Sequence, residues 1–202
     1  MYAERKPSGT KGGVTMGAIR LLVILSVVAF IGIMAYIITT YNQLIRLRNK
    51  VRNSFAQVDA QLQRRFDLVP NLVEIVKGYV EHEEQLLESV AARRSGYLDA
   101  GNGQEKLSMS SGLTSDLKVL YGVAENYPEL KSNGNFIHLQ QEFSESEDKV
   151  TFARQFYNDA VTIYNNKLQM FPGSIIAGLF GFEEEALFAA EDEAVAAPTV
   201  QF

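Results

Sequence analysis

The stretch LLVILSVVAFIGIMAYIITTYNQLIRLRNKVRNSFAQVDAQLQRRFDLV, residues 21–69, decides the fold. Its first part, residues 21–38, carries no charge. At ~1.5 Å rise per residue this run is roughly 27 Å long, enough with its flanks to cross a hydrocarbon core of ~30 Å. Between Ile33 and Val69 there is neither a glycine nor a proline. Nothing therefore ends the helix where the apolar run stops, and the span is expected to continue past Tyr41 into water as one element.

Beyond the span, Leu44, Leu47, Val51, Phe55, Val58, Leu62 and Phe66 recur three and four apart. This eleven-residue rhythm, near ~3.67 residues per turn, keeps one apolar stripe on one face of a long helix. The opposite face carries Arg46, Lys50, Asn53, Gln57 and Arg64 and should be wet. Pro70 lacks a backbone donor and disfavours α geometry at Val69, so a turn is expected near residues 67–71, with Asp67 placed to cap the helix that follows.

That second helix, with Leu72, Val73, Val76, Val80, Leu86, Leu87 and Val90 at helical spacing, is expected to run to about Arg94. Residues 95–104 read as a connection. A third helix spans about 105–125, with Leu107, Leu113, Leu117, Leu120, Tyr121 and Ala124 inward; Pro128 and the Ser132-Asn133-Gly134 stop follow. The fourth helix runs from Asn135 to about Met170. Its inner face is Phe136, Leu139, Phe143, Ser146, Val150, Ala153, Tyr157, Ala160 and Tyr164, a near-heptad pattern of coiled-coil type with one polar layer at Ser146, then a slip to Leu168 and Phe171. No strand pattern occurs. Residues 174–182 are apolar but too short to span, and either fold back on the bundle or dip into the membrane interface.

The fold class is therefore all-α: an N-terminal transmembrane helix continuous with a long antiparallel four-helix bundle. The expected division is a flexible leader at 1–16, an anchor at 17–40, a helical bundle at 41–182 and a solvated acidic tail at 183–202, where Leu187 and Phe188 offer a last contact. The anchor reads as an uncleaved signal anchor, because polar Thr39, Thr40, Tyr41 and Asn42 follow it rather than a small-residue cleavage site.

Net charge is −5, and the six acids after residue 182 account for more than all of it, leaving +1 elsewhere. A near-neutral folded part without a clustered basic face argues against nucleic-acid binding. No cysteine is present, which excludes disulfides and thiol chemistry. His82-Glu83 opens like a zincin helix, but Leu86 stands where the second histidine is needed. Glu74, Glu81 and His82 are weak metal candidates against the alternative of a solvated face. No phosphate loop or nucleophile elbow occurs. No catalytic, cofactor or metal residues are assigned, and a non-enzyme is expected.

The candidate interaction or bundle-tip residues are Arg64, Arg65, Asp67, Pro70, Asn71, Tyr127 and Pro128. Two arginines beside an aspartate and a helix break suit a clamp on an acidic partner, or tip pairing of Arg64 or Arg65 with Asp67, Glu125 or Glu129. Arg46, Arg48, Lys50 and Arg52 are juxtamembrane basic residues able to meet anionic headgroups. Tyr36 and Tyr41 suit the interfacial belt. Basic residues before the span (Arg5, Lys6, Lys11, Arg20) balance those after it, so charge does not choose an orientation.

YNQLIRLRNKV at 41–51, DAQLQRRFDLVPNLV at 59–73, VKGYV at 76–80 and His82-Glu83 resemble the LemA family of bacterial membrane proteins. AENYPELK at 124–131, Asn135-Phe136, ARQFYN at 153–158, Phe171-Pro172 and Gly181-Phe182 continue the match. Phe55 departs from it, standing where the family often has tryptophan. The resemblance implies a single-pass protein of the bacterial inner membrane, with the soluble domain described as cytoplasmic. It implies no established activity. Family genes neighbour those of HtpX-type membrane proteases and TPM-domain membrane proteins. The expected role is a scaffold or adaptor that meets the lipid bilayer, self-associates as a homo-oligomer or presents its bundle to other membrane proteins. The alternatives are an accessory regulator of such a protease, or membrane remodelling.

Overall fold

A computed structural model describes residues 11–80 and 82–188. The first ten residues of the expected leader, and the acidic tail after Phe188, lie outside the described residues. Among those described, the regular elements are seven helices: α1 (Lys11–Asp67), α2 (Val69–Lys77), α3 (Glu84–Asp99), α4 (Gly103–Ala124), α5 (Pro128–Lys131), α6 (Gly134–Gln169) and α7 (Gly173–Phe180). α1 is unbroken from Lys11 to Asp67, as the absence of glycine and proline after Gly32 requires. It opens inside the stretch expected to be a flexible leader, because Gly12 and Gly13 lower helix propensity without forbidding a helix.

The chain forms two compact units. The first comprises Met1–Arg46 and Lys167–Glu183. Its part of α1 is long and apolar enough to cross a membrane, and the large side chains of residues 21–36 are exposed. Burial along α1 begins at Thr40 and Leu44. α7 belongs to the same unit, and Phe180 and Phe182 meet the Tyr41 ring at 4.9 and 5.7 Å between centroids. Residues 174–182 thus fold back onto α1, and Tyr41 is engaged by aromatic rings of its own chain. Phe171, expected inside, is 80% exposed. α6 ends at Gln169, so Phe171 lies outside the register that buries Tyr164 and Leu168.

The second unit comprises Leu47–Asn166 and Glu184–Phe202. Cross-contacts fix the direction of each helix. Phe55 meets Tyr157, whereas Arg65, farther along α1, meets Glu147, nearer the start of α6; α1 and α6 are antiparallel. Asp59 pairs with Lys106 and Arg65 with Ser110 and Thr114, so α4 runs parallel to α1. Ser89 and Arg93 of α3 reach Asp116 of α4, while a Cβ at Gly96 would touch Met109, so α3 and α4 form an antiparallel hairpin. The result is an up-down-up-down bundle of α1, α3, α4 and α6. Val51, Val58, Leu62 and Phe66 of the first stripe are buried, and so are the inward positions of α6 from Phe136 to Tyr164.

Two expectations fail near the second helix. It does not run from 67 to 94: α2 ends at Lys77, with Gly78 as its C-cap, and α3 begins at Glu84. Gly78 is the reason the helix can stop there, since glycine has the least to gain from helical geometry. Nor does Asp67 cap α2; the N-cap is Leu68 without a side-chain bond, and Asp67 accepts from Gln63 Nε2 at 2.8 Å. The connection expected over 95–104 is much shorter. α3 continues to Asp99 because Tyr97 is buried in its last turns, stacked on Phe66 with ring centroids 4.4 Å apart. Asn102 then caps α4 by accepting from Glu105 N at 2.9 Å, and Glu105 returns a carboxylate to Gly101 N and Asn102 Nδ2. The expected stop at Asn133 holds, for its Oδ1 accepts from Asn135 N and Phe136 N.

The tail expected from residue 183 starts later. Glu185 and Phe188 are bound to α6 through two asparagines, each pairing with a backbone N–H and C=O as a neighbouring strand would. Asn165 holds Glu185 at 2.8 and 3.0 Å, and Asn158 holds Phe188 at 3.1 and 2.9 Å. Seven helical residues rise ~10.5 Å and three extended ones ~10 Å, so the two spacings match. Phe188 is buried against Phe55 and Tyr157, while Leu187 points out.

Candidate functional site

Arg65 is 2% exposed, the largest side chain buried so completely in the bundle. It lies seven residues after Val58 and three after Leu62, which puts it on the apolar face of α1, whereas Arg64 falls on the wet face. Its Nη1 donates to Ser110 Oγ at 2.7 Å, and Nη2 to Thr114 Oγ1 at 2.7 Å and Glu147 Oε2 at 3.3 Å. One guanidinium therefore ties α1 to both α4 and α6. Glu125, expected as a tip partner of Arg64 or Arg65, lies 3.6 Å from Lys131. Arg65 stands in the last turn of α1, and its guanidinium is buried against α4 and α6 rather than presented at the surface.

Beside this cluster a cleft of about 380 Å³ opens between α4 and α6, lined by Leu117, Lys118, Tyr121, Gln140, Phe143 and Glu147 among others. The Tyr121 hydroxyl is buried within it with no hydrogen-bond partner. Burial pushes the Tyr121 pKa up to about 12, the Glu147 carboxylate raising it and Arg65 opposing. A second polar cluster links α1, α3 and α4. Lys106 Nζ lies 2.6 Å from Asp59 and 5.3 Å from the centre of the Tyr97 ring, and Tyr97 donates towards Asp59 at 3.4 Å. Burial, and then the Asp59 charge, raise Tyr97 to about 12. Tyr157, whose hydroxyl donates to Ala186 O at 3.0 Å, is raised by burial and by Glu185.

The remaining candidates do not assemble into one site. Pro70 opens α2 in its first turn and is exposed. Asn71 lines a shallow cleft with Glu74, Asn135, His138 and Glu142. Tyr127 approaches Glu83 at 3.5 Å and precedes α5, which starts at Pro128. Arg46, Lys50 and Arg52 are exposed and Arg48 is half-buried. Glu81 lies outside the described residues; among those described, no three potential ligands gather around a point that could hold a metal. The Asn158 and Asn165 pair was not singled out in the sequence, although both stand one residue from inward-facing positions at heptad spacing.

The family model described as "LemA family" matches residues 54–202. Among similar proteins, magnetosome protein MamQ 2 of Paramagnetospirillum magneticum is 23% identical over 198 residues, covering 85% of this chain and 73% of its own. Magnetosome protein MamQ of Magnetospirillum gryphiswaldense is 21% identical with the same coverage. Protein LemA of Metamycoplasma hominis is 23% identical over 184 residues, covering 90% of this chain and 84% of its own.

Proposed function

This chain belongs to the LemA family, and from that premise we propose that it is a non-enzymatic, membrane-anchored helical scaffold that self-associates through the outer face of α6. The observation that carries the reading is an apolar stripe on that face. Phe152 and Phe156 are 60% and 63% exposed, and Ile163 is exposed beside them. Positions four and eleven residues apart fall within ~40° of one another on a helix, so the three form one ridge ~16 Å long. Large apolar side chains grouped on a wet surface mark a contact face more often than chance scatter does. The non-enzymatic part is supported by the use made of Arg65, whose guanidinium is spent on holding helices together.

The test is the mass of the full-length chain in nanodiscs assembled at high lipid excess. The wild type should run as an oligomer, and a Phe152→Ser/Phe156→Ser variant with unchanged helix content should run as a monomer. A monomeric wild type, or an oligomer indifferent to both substitutions, rejects the proposal.

A further inference from the structure

α7 and the residues leading into it present an apolar surface that the scaffold role leaves unused. Residues 168–182 contain no charged side chain, although Lys167 precedes and Glu183 follows. Ile176 and Ala177 of α7 are buried, while Met170, Phe171, Ile175 and Leu179 are largely exposed. Ile175 and Leu179 are spaced by four along α7 and share one side, and Met170 and Phe171 are exposed in the turn that leads into it. Short helices with one apolar side outward are unstable against water unless something covers that side.

The position of α7 on α1 identifies the cover. Tyr41 stands three residues after Ile38, the last residue of the apolar run, hence ~4.5 Å farther along the axis. Phe180 and Phe182 pack on that same Tyr41 ring. The exposed side of α7 is therefore continuous with the apolar surface of the span, at the level where α1 leaves the hydrocarbon. We propose that α7, with Met170 and Phe171, lies in the headgroup region of the bilayer that α1 crosses, as a second membrane contact. Its apolar side would sit ~5–10 Å below the headgroup boundary. The binding is apolar: Glu183, Glu184 and Glu185 follow α7 after Gly181 and Phe182, and no basic residue lies within it, so neutral lipid suffices.

The chain has no cysteine, so single cysteines can be introduced at Ile175 or Leu179, labelled with an environment-sensitive fluorophore, and the full chain reconstituted in phosphatidylcholine vesicles. Both labels should emit to the blue of the same dye on a small thiol in buffer. A spin label near the lipid headgroup should quench them roughly twofold more than one near the chain end, as for a helix lying in the interface. A label at Val28 in the span, with the opposite order, shows that α1 itself is inserted and separates failure of this proposal from failure of the anchor. Water-like emission, deeper quenching, or blue emission that no lipid spin label quenches would overturn the proposal; the last result would mean a second protein surface covers α7. A Phe171→Cys label in an Ile175→Glu/Leu179→Glu chain adds a check that keeps α1 intact. With helix content unchanged, its headgroup-side quenching should fall to the level of the dye in buffer. Persistence of that quenching refutes the role of this face.

Discussion

Arg65→Met removes the charge and leaves most of the stem. The wild-type guanidinium makes two short charge-assisted bonds, to Ser110 and Thr114, and a longer one to Glu147, whose side chain is 45% exposed. Thr114 keeps a bond to Ser110 O and Glu147 keeps its water, so neither is stranded by the substitution. Ser110 is 3% exposed and loses its donor, which costs ~1–3 kcal/mol. The Glu147 arm, half in solvent, adds at most ~1 kcal/mol. Against these losses stands the relief of not burying a cation, several kcal/mol before pairing. The three bonds already return most of that burial cost in the wild type, so the variant loses ~1–4 kcal/mol, centred on about 2–3 kcal/mol or ~4–12 °C in Tm for a chain of this size. The assay is thermal unfolding in mild detergent, followed by circular dichroism. Replacing the whole cluster, Arg65→Met/Ser110→Ala/Thr114→Val, should recover to within ~1 kcal/mol of wild type, because removing both partners of a buried bond is nearly neutral. A single variant as stable as wild type, or a triple variant no better than the single, refutes this account of Arg65.

Asn158→Ala and Asn165→Ala each delete two bonds to the 184–188 segment, ~1–3 kcal/mol apiece, and hydrogen exchange at the Glu185 and Phe188 amides should accelerate while the inner turns of α6 stay protected. Gly103→Ala places a Cβ 2.9 Å from Phe55 Cζ and 3.2 Å from Phe188 Cζ, and should lower stability by ~1–3 kcal/mol. Gly122→Ala, in open space within α4, should raise it by up to ~1 kcal/mol; the two melting temperatures read against wild type decide both. Tyr97 and Tyr121 ionise near 12 in the fold against an ordinary 10, so the folded state keeps protons that the unfolded chain gives up. Their contribution is whole below pH 10 and is lost as pH rises from 10 to 12, by up to ~1.4 kcal/mol per pH unit for each. Denaturant midpoints across that range, with Tyr97→Phe and Tyr121→Phe flattening the slope, check it.

The sequence periodicity located nearly every apolar contact of α1, α4 and α6, because a face that must be buried repeats at the helical period and leaves that trace whatever it packs against. What it concealed were partners. Nothing local distinguishes Arg64 from Arg65 by chemistry; they differ by ~100° around α1, and that angle sends one to water and the other into the core. The same lattice holds Ser110, three residues from Leu107 and from Leu113, and Ser146, three from Phe143, both buried. A polar residue on an apolar register is thus a legible signal that something across the bundle answers it. The breaks at Gly78 and after Asp99 are harder to place, since Val76, Val80 and Leu87 keep a helical spacing across the first and the fate of Tyr97 at the second depends on Phe66, thirty-one residues away.

These polar insertions also explain why an apolar bundle adopts one register. Stripes of leucine, valine and phenylalanine can slide by a turn against one another at modest cost, because each position offers much the same surface. A guanidinium that meets Ser110, Thr114 and Glu147 together has no equivalent one turn away: the inward α4 neighbours there are Leu107, Leu113 and Leu117. Slipping α4 would bury the charge against leucine, at a cost of several kcal/mol. Asn158 and Asn165 apply the same logic to the segment ending at Phe188, whose extended backbone could otherwise lie anywhere along α6. The fully substituted Arg65 cluster should accordingly retain stability while losing specificity, and a cysteine pair placed at Asp59 and Lys106 should crosslink less completely in that variant than in the wild-type background.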